Sequence, residues 1–302
     1  MPTEGNIIKV NGVELWVEEF GDPTHPPVLL VMGSMSQGLL WPDELVGRIT
    51  AGGRRVIRYD HRDTGRSSAL DFEATPYTWA AVKDDIIGLL DALGIDRVHL
   101  VGHSAGGLLG QWVAVEHPER IASLTAIGSS PLGGQEGLVV TRALSAQPQE
   151  PGSLPEPLPA FVELFARAAT SPPPATRAEV IDFQIELARV LHGPVLPFDA
   201  DAQRALEERL LDRDRDPRTV SNHQRAWAAD PAFEPVGRLG EITAPTLVVE
   251  GTHEPVKPGH GKLIAQEIPG ARYLEIDGMG HTLPPEVHEQ LAAAVLDHTT
   301  AG

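Results

Sequence analysis

Short unbroken apolar runs alternate along the chain with segments whose apolar residues recur at helical spacing. The runs "PPVLLVMG" (26–33), "RRVIRYD" (54–60), "RVHLVG" (97–102), "IASLTAIGS" (121–129), "APTLVVEG" (244–251) and "ARYLEIDG" (271–278) are of strand length and end at Gly, Asp or Ser. A strand that is apolar at nearly every position is covered on both faces, the condition of a parallel sheet flanked by helices. "YTWAAVKDDIIGLLDALG" (77–94) repeats its apolar residues at helical intervals and stops at Gly94. It predicts a helix, and 259–268 and 286–298 predict two more. "NIIKVNGVELWVEEFG" (6–21) reads as two strands around Asn11-Gly12, a strong short-range hairpin signal. The alternation predicts an α/β chain built on a doubly wound, mostly parallel sheet.

The middle breaks this rhythm. From Pro131 to about Pro235 the strand-like runs stop, and "AFVELFARAA", "RAEVIDFQIELARVL" and "DAQRALEERLL" carry helical patterns instead. This predicts a helical cap (131–235) inserted into a core made of 1–130 and 236–302. An insertion at that point would lie over the C-terminal edge of the sheet, where α/β folds place ligands. The Pro-rich stretch around 147–159 is expected to be a disordered linker within it.

Composition narrows the classes. The 302 residues suffice for one large domain with an insertion, and 41% apolar content suits a buried core. A formal charge of −18 argues against a nucleic-acid partner, which would need clustered Lys and Arg. The absence of cysteine excludes disulfides, thiolate metal ligands and a thiol nucleophile. "MPTEGNIIKV" lacks the basic start and apolar stretch of a signal peptide, and no run approaches membrane-spanning length. A cytoplasmic protein is therefore expected. Oligomeric state leaves no trace in the pattern.

The candidate chemistry lies in "HLVGHSAGGLLGQW" (99–112), where a predicted strand gives way to a helix. Gly102-His103-Ser104-Ala105-Gly106 fits G-x-S-x-G, in which a strained turn lifts the serine hydroxyl above the sheet. Gly102 and Gly106 suit a close backbone approach there, and Gly107 the same packing; Gly110, a turn later, suits packing against a strand. A serine nucleophile needs a base, and His281 in "IDGMGHTLPPEV" follows the last predicted strand. The third member is expected to be a carboxylate after the penultimate strand, in chain order Ser, acid, His. "PTLVVEGTHEPVKP" offers Glu254 on the loop, with Glu250 at the strand end and Asp277 before His281 as competitors. Glu254 is preferred for its place beyond the strand end. Of the other histidines, His117 is expected to close a helix and His253 to make a local loop contact, while His61, His99 and His103 have no partner in the pattern. In "HRDTGRSS", Arg62, Asp63 and Arg66 are expected to tie down a loop by ion pairs.

"LWPDELVGRI", "RVIRYDHRDTGRSS", "PTLVVEGTHEPVKPGHGK" and "IDGMGHTLP" resemble the aclacinomycin methylesterase group, within an α/β-hydrolase layout that spans almost the whole chain. The resemblance implies that "VMGSMS" supplies one oxyanion amide at Ser34 and that Ala105 supplies the second. Two positions depart from that group: Glu254 stands where Asp is usual, and Ala105 where Met is common. The resulting expectation is a serine-dependent hydrolase of carboxylic esters with Ser104 as nucleophile and no metal or organic cofactor. The family-led substrate is a small molecule, a bulky apolar ester such as a polyketide methyl ester. Met35, Phe161, Phe165, Phe183 and Trp227 are candidate contacts, although a helix-core role is the competing reading for the aromatic residues. Lactone or macrolactone hydrolysis, a cofactor-free perhydrolase or haloperoxidase, and a non-catalytic ligand-binding protein on the same scaffold remain alternatives.

Overall fold

The computed structural model describes residues 5–229 and 235–300. Eight strands form one sheet in the order β1-β2-β4-β3-β5-β6-β7-β8. β1 (Asn6–Val10) and β2 (Val13–Phe20) form the expected hairpin, with Val10 opposite Val13. Asn11 and Gly12 both take positive φ, 49° and 82°, as a two-residue turn matched to strand twist requires. β2 pairs antiparallel with β4 (Arg55–Tyr59); every later pairing is parallel.

The central strands β3 (Pro27–Val31), β5 (Val98–His103), β6 (Ile121–Ile127) and β7 (Thr246–Gly251) are almost wholly buried, which explains their uninterrupted apolar runs. Alternate residues feed opposite cores. Leu29, Val31, Leu100 and Leu124 pack with α2 (Trp79–Ala92) and α3 (Ala105–Glu116). Val28, Leu30, Val101 and Ile127 pack with α1 (Asp43–Ala51) and α10 (Pro285–His298) on the other face. β8 (Arg272–Ile276) forms one edge beside β7, with α9 (His260–Glu267) between them in sequence. This is the doubly wound α/β architecture the pattern predicts.

Between β6 and β7 the described residues form no strand; the α-helices there are α4 (Glu136–Leu144), α5 (Pro159–Thr170), α6 (Arg177–His192), α7 (Ala200–Arg213) and α8 (Asn222–Ala229). The stretch 147–158 is irregular, as its prolines demand, but it is no loose linker. The Gln149 side chain donates to Val139 O at 2.9 Å, the Pro155 carbonyl lies 2.9 Å from His260 Nε2, and the Leu158 amide donates to Pro255 O at 2.7 Å. Backbone groups that prolines leave outside regular structure are satisfied by tertiary partners instead. Among the described residues, no helix is long and apolar enough to cross a membrane.

Candidate active site

After β3 the chain moves to β4 on one side and then crosses to β5 on the other, so a topological switch point lies between β3 and β5. At such a point the loops leaving the two strands diverge and open a crevice at their C-terminal ends. Ser104 follows β5 and Ser34 follows β3, so both border it.

Ser104 caps α3 with φ 56° and ψ −124°, a strained conformation for a residue with a side chain. Its amide donates to Ile127 O at 2.8 Å, which anchors the turn on β6. The flanking glycines are sterically required. A Cβ on Gly102 would sit 2.2 Å from Gly106 O, and one on Gly106 would sit 2.1 Å from Val31 O. Gly107 faces Ser129, and Gly110 faces Leu100 and Leu124, so the last glycine serves helix-to-sheet packing. The half-buried Ser104 hydroxyl stands at the start of α3, where the helix dipole favours negative charge. The Ala105 amide, the first of α3, has no acceptor among the described residues. Nor has the Ser34 amide; Gly33, just before Ser34, packs against Ser104, a Cβ there falling 3.1 Å from Ser104 Cβ.

His281 and Glu254 converge on the same end of the sheet. His281 Nδ1 donates to Glu254 Oε2 at 2.7 Å, with both residues buried. The other carboxylate oxygen, Oε1, accepts the backbone amides of Val256 at 2.9 Å and Lys257 at 3.2 Å. Burial alone would raise the Glu254 carboxyl. The His281 charge and hydrogen bond, the Val256 amide and the Lys257 charge outweigh it and hold the group below its usual value. Gly128, next to the Ile127 carbonyl that holds Ser104, abuts both partners. A Cβ on it would lie 3.1 Å from Glu254 Oε2 and 3.3 Å from His281 Nδ1. His103, just before Ser104, donates its Nε2–H to His281 O at 2.8 Å and so ties the strand of the serine to the loop of the histidine. Burial, reinforced by His281, lowers His103 to about 3, which keeps that ring neutral.

The competing carboxylates point elsewhere. Glu250 accepts the amides of Gly259 and Gly261 at the start of α9. Asp277 is exposed, with a long contact to Thr252 Oγ1 at 3.4 Å. Arg62 ties the loop down by an ion pair, as expected, whereas Asp63 does so through hydrogen bonds and forms no ion pair among the described residues. Arg62 makes a bidentate bond to Asp85, at 2.7 Å for each branch, and Asp63 accepts Tyr77 Oη–H and the Leu70 amide. Arg66 contributes only its backbone amide, to Asp60; its side chain is exposed, so that charge plays no part in the network. His61 and His99 do find partners, Met32 O at 2.9 Å and Ser123 Oγ at 2.8 Å. His117 caps α3 and His253 contacts Thr252, both locally.

The candidate substrate contacts scatter. Phe161 and Phe165 pack against each other on α5, with ring centroids 4.8 Å apart and planes tilted by 49°, and Phe183 is half-buried on α6. Trp227 on α8 meets Trp79 edge-on at 5.4 Å and covers Gly137, a packing role. Met35 is exposed and takes φ 59°.

Segments of the insertion reach four of the loops at this end of the sheet. Leu158, before α5, bonds Pro255 beside Glu254; Leu191 O of α6 accepts the His281 amide at 2.6 Å; Arg213 of α7 pairs with Asp60 at 2.9 Å. His223 of α8 takes the Met35 amide at 2.8 Å. Sequence reasoning missed His223 altogether, since its partner lies 188 positions away and no spacing signals it.

Residues 26–286 match the alpha/beta hydrolase fold family. The chain belongs to that family. Among characterised relatives it is 37% identical over 302 residues to the rhodomycin D methylesterase DauP of Streptomyces sp. (strain C5), covering 100% of this chain and 99% of the relative. It is likewise 37% identical over 310 residues to the rhodomycin D methylesterase DnrP of Streptomyces peucetius, covering 100% and 99%. The resemblance to the aclacinomycin-type methylesterases thus extends from end to end of this hydrolase. Among solved structures, the esterase from Exiguobacterium antarcticum superposes with a TM-score of 0.75 at 20% identity, over 98% of this chain and 99% of that one, a likeness of fold.

Proposed function

We propose that the protein is a serine-dependent carboxylic ester hydrolase. The observation that carries this reading is the Glu254–His281 contact, 2.7 Å long and buried, at the sheet edge where Ser104 sits on its strained turn. Glu254 holds the Nδ1–H tautomer of His281, which leaves Nε2 free to accept a proton. Ser104 Oγ attacks the ester carbonyl as His281 takes its proton, and the amides of Ser34 and Ala105 receive the negative charge on the carbonyl oxygen. His281 then protonates the departing alcohol, leaving an acyl-serine. Water, deprotonated by His281, releases the acid and restores the serine.

The substrate we favour is a methyl ester of a bulky, largely apolar molecule of the aromatic polyketide type, held between the sheet edge and the insertion. End-to-end similarity to two rhodomycin D methylesterases supports this class. The test is a panel of p-nitrophenyl, aromatic methyl and lactone substrates, run with the wild-type and Ser104→Ala proteins. Turnover of methyl esters, lost with Ser104→Ala, is expected, as is fluorophosphonate labelling of the wild type alone. Turnover that survives Ser104→Ala refutes the serine-dependent reading; preference for lactones refutes the substrate.

A further inference from the structure

Met35, directly after the Ser34 amide, holds a positive φ of 59° although it carries a long side chain that is 41% exposed. Nothing in its own side chain accounts for that conformation. What holds it is a ring from the far end of the insertion. The Met35 amide donates to His223 Nδ1 at 2.8 Å, and His223 Nε2 lies 2.8 Å from the carbonyl of Arg62. An amide can only donate and a carbonyl can only accept, so both contacts are satisfied by a single state: the neutral ring with its proton on Nε2. His223 thereby bridges the loop after β3 and the loop after β4.

The ring is built in. His223 is 1% exposed, Trp79 and His61 meet it edge-on at 5.4 and 6.0 Å, and Trp79 Nε1 donates to its backbone carbonyl at 3.2 Å. Burial lowers its pKa to about 4; the bond to the Arg62 carbonyl opposes that shift and the Arg62 charge adds to it. The bond also sorts the two neighbouring amides of the loop. Met35 N–H is occupied, and Ser34 N–H is left pointing at no acceptor among the described residues.

We propose that His223 is a positioning residue for the oxyanion loop, so that the inserted segment, through α8, sets the donor geometry at Ser34. The proposal rests on the serine-hydrolase reading for its catalytic consequence, but the restraint on the loop is a separate, measurable property. Oxyanion donors act through fixed placement, and displacing one costs about 10²-fold or more in turnover.

Three substitutions separate the two ring contacts. In His223→Asn the side-chain oxygen stands where Nδ1 was and keeps the Met35 bond. In His223→Gln the terminal amide reaches toward Arg62 instead, and His223→Leu makes neither contact. We expect His223→Asn to keep kcat within about tenfold of wild type, and the Gln and Leu variants to lose about 10²-fold in kcat with KM little changed. Affinity for a trifluoromethyl ketone, which forms a serine-bound oxyanion, falls in parallel. Hydrogen exchange over residues 33–37 accelerates in the Gln and Leu variants but not in the Asn variant, and this readout needs no turnover. If the wild type hydrolyses no ester, the functional reading fails while exchange still decides the role of His223. Unchanged exchange in all three variants, or Asn behaving like Leu in kcat, overturns the proposal.

Discussion

Replacing Glu254 by Gln is the most informative single perturbation of the proposed triad, because the backbone dictates how the new amide must sit. The carboxylate satisfies three donors: Oε1 takes the amides of Val256 and Lys257, and Oε2 takes His281 Nδ1–H. A glutamine has one oxygen. If that oxygen turns to His281, its NH₂ faces two buried backbone N–H groups, at about 1–3 kcal/mol for each lost partner. If it stays with the two amides, the NH₂ donates to Nδ1 and forces the imidazole proton onto Nε2, where it cannot accept from Ser104. The second arrangement is favoured by roughly 2–6 kcal/mol, so the productive tautomer falls to between about 3% and about 4 × 10⁻⁵ of the population. Loss of the negative charge that stabilises the imidazolium lowers turnover further, and kcat should drop about 10³- to 10⁴-fold. Glu254→Asp is shorter by about 1.5 Å and reaches either the amides or the imidazole, so it should retain an intermediate activity. The assay is steady-state hydrolysis of an activated ester, with thermal melting to confirm folding. A folded Glu254→Gln protein that keeps more than a tenth of wild-type kcat refutes the tautomer argument.

Glu250→Gln removes one acceptor from the amides of Gly259 and Gly261, so melting should report about 1–2 kcal/mol of lost stability while kcat is retained; a collapse of kcat in a well-folded variant would transfer the acid's role to Glu250. Burial lowers His61, His103 and His223 from 6.5 to about 4, 3 and 4. Above 6.5 these rings are neutral in both states, but below it the unfolded chain binds protons that the folded one refuses. Stability should therefore fall as pH drops from 6.5 toward 4, by roughly 2–3 kcal/mol per ring at about pH 4.5, and a flat melting temperature between pH 7 and 5 would refute it. Gly110→Ala presses a methyl against the movable ends of Leu100 and Leu124, at 2.6 and 2.8 Å, and should lower stability by about 1–3 kcal/mol with kcat unchanged. Gly106→Ala meets the fixed Val31 carbonyl and should abolish activity or folding; equal behaviour of the two variants in melting and turnover assays would contradict the distinction.

Much of the fold could be read from the chain because the signals are local. Asn11-Gly12 specifies its turn by the φ values it tolerates, and the runs at 26–33, 97–102 and 244–251 announce strands buried on both faces. Other elements escaped. α1, α4 and α8 were not anticipated from their short patterns, and the prolines of 147–158 suggested a loose linker because their tertiary partners, Val139, Pro255 and His260, are distant in sequence.

The division follows the range of the interaction. Strand order along the chain was enough to nominate Ser104, Glu254 and His281, since in this fold loops after successive strands gather at one edge. Sequence alone preferred Glu254 for its place beyond the strand end, but left Glu250 and Asp277 as competitors. All three lie at or just beyond the ends of the last two strands and are separated by direction, which is set by the surroundings of each: α9 amides for Glu250, solvent for Asp277, and an imidazole plus two backbone amides for Glu254. The same holds for His223. Its two hydrogen bonds join loops that only the folded sheet brings to one insertion helix, so its place beside the loop after β3 was decided by tertiary structure.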